Sequence, residues 1–329
     1  MSARPSGREE PERVLPAVAV GAPLAAPHGE EAPGSAALSG AVRTRRRFRP
    51  EAVPAYVYVF GVMLLLIVLA ALCAPLVAPH DPFDQSLRNR LDPPVWMEGG
   101  SREYLLGTDR LGQDILSRII YGARTSLLIG VVALLIGGTI GTVAGLVAGY
   151  AGGWLDEAIM TVADIQLAFP FVLLAIAVIA VLGTSLTVLV VVVGLSGWVT
   201  YARITRARVL TLKEIGFVEA VRSVGASNWR ILLRHILPNT LSALIVLGSL
   251  ELARLIILEA TLSFLGLGVP PRTTPSWGSM IGEGREYLGS NTGWWISVFP
   301  GLVLFVTALG VSRIGDWVRD ALDPTLRTA

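Results

Sequence analysis

Six long apolar stretches constrain this chain more than any other feature. A helix that crosses a bilayer needs about 20 apolar residues at 1.5 Å rise each. The hydrocarbon offers backbone groups no water, so each crossing must satisfy its own hydrogen bonds. The stretches cover about Tyr56 to Val77, Ser126 to Tyr150, Met160 to Leu182, Leu186 to Tyr201, Leu241 to Leu265 and Trp294 to Val311. Only 16% of the 329 residues are charged, against about 25% in a soluble domain. The expected fold is an all-α polytopic membrane protein with six transmembrane helices. A net charge of +2 gives no basis for nucleic-acid binding by the chain as a whole.

The first 53 residues read differently. Residues 1–42 are rich in Ala, Pro, Gly and Glu without helical periodicity. Such a stretch buries too little apolar surface to offset chain entropy, so disorder is expected. Arg43, Arg45, Arg46, Arg47 and Arg49 then precede the first apolar run. That run lies too far in and is too long for a signal peptide, so it reads as an uncleaved span. The arginines place the N-terminus in the cytoplasm by the positive-inside rule. Cys73, the single cysteine, reads as a small core residue.

Alternation from that start puts the segment between spans one and two outside and the loop between spans four and five inside. The inner loop holds Arg203, Arg206, Arg208, Lys213, Arg222, Arg230 and Arg234 against Glu214 and Glu219, as the rule requires. The outer segment fits less well, with six arginines and seven acidic residues over 80–124. Its Leu106-Gly107-Thr108-Asp109 reads as a turn into a helix capped by Thr108 or Asp109. Leu111, Ile115, Leu116 and Ile119 share one face, with Asp114 and Arg118 spaced i,i+4 on the other. This spacing predicts a short amphipathic helix on the outer membrane surface. In the second span, Gly137, Gly141 and Gly145 form overlapping G-x-x-x-G patterns that favour close helix approach in lipid. The division is then a disordered cytoplasmic tail (1–53), a first span (54–79), an extracytoplasmic segment (80–124), a five-helix core (125–313) with a cytoplasmic loop at 204–238, and a cytoplasmic tail (314–329).

The chain carries no phosphate-binding G-x-x-x-x-G-K-[ST] motif, so it is not expected to hydrolyse ATP. Gly149-Tyr150-Ala151-Gly152-Gly153 follows a membrane helix and reads as a turn. His28, His80 and His235 show no metal-ligand spacing. The inner loop is more informative. Ile215, Val218, Val221 and Val224 recur at helical spacing, and Gly225 follows as a C-cap. Ser227 or Asn228 can cap a second short helix, which Pro238 ends. Two short helices joined at a glycine corner are expected. Spacing alone also allows an ordinary amphipathic loop resting on the headgroups.

The run Glu219-Ala220-Val221-Arg222-Ser223-Val224-Gly225, then nine residues, then His235-Ile236-Leu237-Pro238 resembles the "EAA" loop of bacterial ABC importer permeases, E-A-A-x3-G-x9-I-x-L-P. Further segments are similar to the second permease of the dipeptide, oligopeptide and nickel importers, in the same order. They are Leu106-Gly107-Thr108-Asp109, Gly149-Tyr150-x-Gly152-Gly153-Trp154-x-Asp156-Glu157, Asp164-Ile165-x-Leu167-Ala168-Phe169-Pro170, Glu259-Ala260-x-Leu262-Ser263-Phe264, Pro275-Ser276-Trp277-Gly278 and Gly315-Asp316. The match covers about residues 75–325 and leaves out the N-terminal tail. His235, Val221 and Arg313 depart from the family's usual residues.

The resemblance implies a type I ABC importer transmembrane domain of the MetI-like class. It implies a heterodimer with a second permease, two ATPase subunits that hold ATP and magnesium, an extracytoplasmic binding protein, and no cofactor on this chain. It assigns coupling to the ATPase to Glu219, Ala220, Arg222, Gly225, Leu237 and Pro238. Arg222, Arg230 and Arg234 could pair with acidic ATPase rims or with anionic lipid. Within the fifth span, Glu251, Arg254 and Glu259 are intramembrane charges, which are expensive and usually face a cavity or each other. Glu251 and Arg254, spaced i,i+3, could pair structurally or line the path and meet a zwitterionic peptide. Trp277, Trp294 and Trp295 read as interfacial anchors. Peptides are the expected cargo; nickel, glutathione and oligosaccharide remain open, because the binding protein selects the ligand in such systems. A secondary transporter would need inverted repeats, which the sequence does not show.

Overall fold

A computed structural model of the chain describes residues 53–213, 221, 225–270 and 274–322. Among them the regular structure is helical. In chain order the helices are α1 (Ala55–Leu72), α2 (Ala74–Val77), α3 (Ile115–Ala151), α4 (Gly153–Ala168), α5 (Phe171–Leu182), α6 (Leu186–Lys213), α7 (Asn228–Ile231), α8 (Leu237–Phe264), α9 (Trp277–Gly284) and α10 (Trp295–Leu322). Among the described residues, five helical runs are long and apolar enough to cross a membrane, and α4 with α5 makes a sixth if that bent pair is one span.

The centre of the fold is the pairing of α3 with α6. Lipid tails are as apolar as leucine, so burial of apolar surface cannot drive this contact; close packing must. Gly137, Gly141, Gly145 and Gly149 recur every four residues and share one face of α3. They meet Gly194, Trp198, Ala202 and Arg206, which recur at the same interval along α6. A Cβ at Gly137 would lie 2.5 Å from the Gly194 carbonyl oxygen, and one at Gly149 would lie 2.8 Å from Val209 Cβ. The glycine stripe therefore sets the helix separation. Around this pair, Ile129, Ala133, Ala175, Ile179, Leu189, Val193, Leu255 and Leu262 build a core shared by α3, α5, α6 and α8. α10 packs on α8 and α9, and α1 packs on α10 and α3.

Several expectations are corrected. The amphipathic surface helix does not exist as a separate element, because its residues form the first turns of the 37-residue α3. Its cap is Asp114, which accepts from the Ser117 amide at 2.9 Å, rather than Thr108 or Asp109. Arg118 does not lie on a polar face beside Asp114. It is buried and donates to Asp109 and, at 2.9 Å, to Glu283 of α9. Asp109 instead orders its own turn, accepting from the amides of Leu111 and Gln113. Trp277 and Trp295 are fully buried rather than interfacial. Their indole N–H groups donate to the carbonyls of Ile119 (3.1 Å) and Thr108 (3.0 Å). Cys73 is exposed at the break between α1 and α2, not buried.

The third span is not continuous. α4 and α5 meet at 90°. Pro170 forces the preceding residue out of the helical region, and Phe169 is extended at φ −103°, ψ 137°. Pro238, conversely, does not end a helix. A π-turn over Leu232–Ile236 leads directly into α8, and the Leu237 amide bonds back to the Leu232 carbonyl. The wider turn carries the chain past a residue that has no N–H to give. Residues 228–264 thus form one continuous helical run.

Candidate functional site

Two places in this fold hold several of the residues that the sequence singles out. The first is the corner at Gly225. Its φ of +84° lies in the left-handed region that glycine occupies without strain. The Ala226 amide bonds to the Val221 carbonyl at 3.3 Å. That is the six-to-one bond of a Schellman helix end, with Gly225 at the left-handed position. Ser227 then caps α7, accepting from the Arg230 amide at 3.4 Å.

The element after the corner is anchored firmly. Ile231, Leu232 and Ile236 are buried against Leu146 of α3 and Val209 of α6. Tyr150 donates its hydroxyl hydrogen to Asn228 at 2.6 Å. Lys213 donates to the carbonyls of Gly149 (3.3 Å) and Tyr150 (2.9 Å), where α3 leaves its last carbonyls unsatisfied. Trp229, Arg230, Leu233 and Arg234 remain exposed on the other side. A ridge packed along one side thus stands on the common end of α3 and α6 and offers mixed apolar and basic side chains. Leu237 and Pro238 lie at its junction with α8. Glu219, Ala220 and Arg222 lie outside the described residues.

Sequence reasoning missed what ties α4 to the same end of α6. Arg206 clasps Asp156 through two bonds of 2.5 and 2.6 Å. Arg203 reaches Asp164 at 2.5 Å. Gln166 bridges the Trp198 indole (2.6 Å) and the Leu195 carbonyl (2.9 Å). Asp156 and Asp164 stood in view within matched segments, but only folding shows that α6 supplies their partners.

The second place lies between α6 and α8. Arg254 Nε donates to Glu251 at 2.7 Å, and its Nη2 reaches Ser196 Oγ at 3.3 Å. The Arg254 side chain is 46% exposed and that of Glu251 only 10%. Glu259 is elsewhere. It is fully buried and accepts from Ser126 of α3 (3.0 Å) and Ser263 (2.7 Å). Ser126 also accepts from the Trp277 amide at 3.3 Å. Glu259 thus fastens α3, α8 and the start of α9 to one another. Among the described residues, no group of three or more His, Cys, Asp or Glu is placed to hold a metal ion.

The described residues form a polytopic helical bundle with a capped, glycine-cornered ridge standing on its central helix pair. Comparison with known proteins gives the family. Residues 141–328 match the family described as "Binding-protein-dependent transport system inner membrane component". Residues 57–94 match the "N-terminal TM domain of oligopeptide transport permease C". The chain belongs to this family of binding-protein-dependent ABC permeases and is a non-catalytic membrane component. It is 44% identical to the di/tripeptide transport system permease protein DppC of Pseudomonas aeruginosa, over 81% of this chain and 87% of that protein. It is 41% identical to the glutathione transport system permease protein GsiD of Pectobacterium atrosepticum, over 82% and 86%. The GsiD of Escherichia coli is 42% identical, over 86% and 89%. A solved structure of the MetNI methionine ABC transporter matches with a TM-score of 0.50 at 22% identity, covering 62% of this chain and 96% of that one. That likeness concerns the fold.

Proposed function

We propose that this chain is one of two permease subunits of an ATP-driven importer of short peptides. Its partners are a second, homologous permease, two ATPase subunits that carry ATP and magnesium, and an extracytoplasmic binding protein. The N- and C-termini and the loop 204–238 that carries the ridge face the cytoplasm, and the segment 80–124 faces outward. The observation that carries the reading is the anchored ridge. Val221 and Ala226, which flank the Gly225 corner, and the helix from Asn228 are held to α3 and α6 through Tyr150 and the apolar contacts of Ile231 and Ile236, while Lys213 ties the ends of α3 and α6 to each other. A push on the ridge therefore reaches the bundle without being absorbed at its base. Packed helices move as rigid bodies, so such a push can switch the side to which a central path opens.

Glu219, Ala220 and Arg222 supply the polar and flat part of the ATPase contact, and Gly225, Leu237 and Pro238 hold its shape. Glu251 and Arg254 line the path. Di/tripeptide and glutathione permeases stand among the relatives, and glutathione is itself a tripeptide, which supports a peptide cargo.

The test is purification of the detergent-solubilised complex with wild-type sequence and with Glu219→Arg. Wild type is expected to bring down a second permease and an ATPase, and the variant to lose the ATPase alone. A wild-type chain that purifies alone and moves solute into liposomes without ATP refutes the importer reading.

A further inference from the structure

Arg254 offers more than its neighbours use. A guanidinium carries five N–H donors. One goes to Glu251 and one to Ser196, which leaves three without an acceptor among the described residues. Both partner positions lie deep. Arg254 is ten residues from the end of α8 at Phe264, and Ser196 is ten residues from the start of α6 at Leu186. At 1.5 Å per residue that is about 15 Å, near the middle of a bilayer whose hydrocarbon is about 30 Å thick. A half-exposed guanidinium at that depth must meet water or an acceptor, because lipid tails supply neither.

The surroundings favour access. Gly197 faces the pair: a Cβ there would lie 3.7 Å from Arg254 Nη2 and 3.8 Å from Glu251 Oε2. Gly248 lies beside the Tyr201 hydroxyl, 3.2 Å from where its Cβ would be. The glycine at 197 thus leaves the face of the pair free of any side chain larger than hydrogen. Glu251 is withdrawn while Arg254 stands forward. The pair is neutral in sum but presents donors, so the group it suits is a carboxylate, which a guanidinium grips with two parallel bonds. Glu251 already occupies one edge of the fork. That competition moderates the grip, as a path must release what it receives.

We propose that Arg254 receives the C-terminal carboxylate of the peptide in transit. This rests on the importer reading above. It goes further by naming the end of the substrate that the path reads. A carboxylate could also come from a side chain of the partner permease, and the test separates the two.

The complete transporter, with its binding protein, is reconstituted in proteoliposomes. ATP-driven uptake of radiolabelled alanyl-alanine and of its C-terminal amide is measured at saturating peptide and normalised to the amount held by the binding protein. Arg254→Gln is expected to lower uptake of the free acid by about tenfold or more, the scale of a lost charge-assisted bond. Uptake of the amide is expected to fall far less than that of the free acid, while the partner permease stays in the complex and ATP hydrolysis is still stimulated by the loaded binding protein. Unchanged uptake of the free acid, or an equal fall for both peptides, overturns the proposal. Loss of the partner permease from the purified complex also overturns it, and assigns Arg254 to a contact between subunits. If the glutamine variant does not fold, Arg254→Lys decides: it keeps the charge but not the fork, so the preference for acid over amide must fall, and an unchanged preference refutes the site. Wild-type vesicles that take up neither peptide with ATP overturn the importer reading itself, and the carboxylate site with it.

Discussion

Arg118 shows how one side chain can organise a segment that hydropathy cannot interpret. It is buried and answers two carboxylates, Asp109 from the connecting segment and Glu283 from α9. Removing one partner of a buried ion cluster leaves charge that nothing neutralises, at a cost of about 3–5 kcal/mol. Arg118→Met should therefore lower the thermal midpoint in detergent clearly, and Asp109→Asn with Glu283→Gln in the same chain should recover part of the loss. A midpoint unchanged in Arg118→Met would remove the cluster from the account. The sequence held a false lead at this point. Asp114 and Arg118 have the spacing of a surface pair, but Asp114 turns back to cap α3 through Ser117. Spacing along one helix does not say which other element arrives to compete for a side chain. Gly225 was more legible, because left-handed backbone is a local demand that few residues besides glycine meet without strain.

At the scale of the element, the glycine stripe of α3 had a readable purpose but no readable partner. Small residues every four positions announce close approach. Only folding pairs them with Gly194, Trp198, Ala202 and Arg206 of α6. At Gly141 a side chain would run into the Trp198 carbonyl and Tyr201. Gly141→Leu should therefore force the helices apart and cost about 3 kcal/mol, the upper end of overpacking penalties. The check is the thermal midpoint of the purified chain beside Leu135→Ala, a change on the exposed side of α3 that should shift it little. Equal midpoints for the two variants would show that the stripe does not set the separation. The two prolines make the opposite point to each other. Pro170 sits at a 90° turn and Pro238 rides inside a continuous helical run. A proline removes one N–H in either case, and whether the helix breaks depends on whether neighbouring packing supports a widened turn.

At the scale of the whole molecule, the family matches begin at residue 57 and run to residue 328. Residues 1–42 lie outside them, and their composition offers little apolar surface to bury. Deleting residues 2–42 while keeping the arginines from Arg43 onward should leave membrane insertion, thermal midpoint and peptide uptake at wild-type values. A loss of uptake with normal insertion would give the tail a part in transport.

What the chain's order alone determined was five of the apolar helical runs, the class of fold and the place of the glycine-cornered ridge along the chain. Each of these follows from local rules: span length from bilayer thickness, helix ends from glycine and serine caps, and the loop from its own spacing. What only the tertiary structure decided was which residues meet. It buried Trp277 and Trp295, which composition would place at an interface, and exposed Cys73. It took Glu259 out of the company of Glu251 and Arg254 and gave it to Ser126 and Ser263. Eight residues along a helix turn a side chain through more than two full circles, so a small departure from ideal winding, or a neighbour on one side, settles its direction. Polar groups inside a bilayer must be satisfied by whatever protein lies nearest, and the nearest protein is fixed by packing between distant parts of the chain rather than by sequence neighbours.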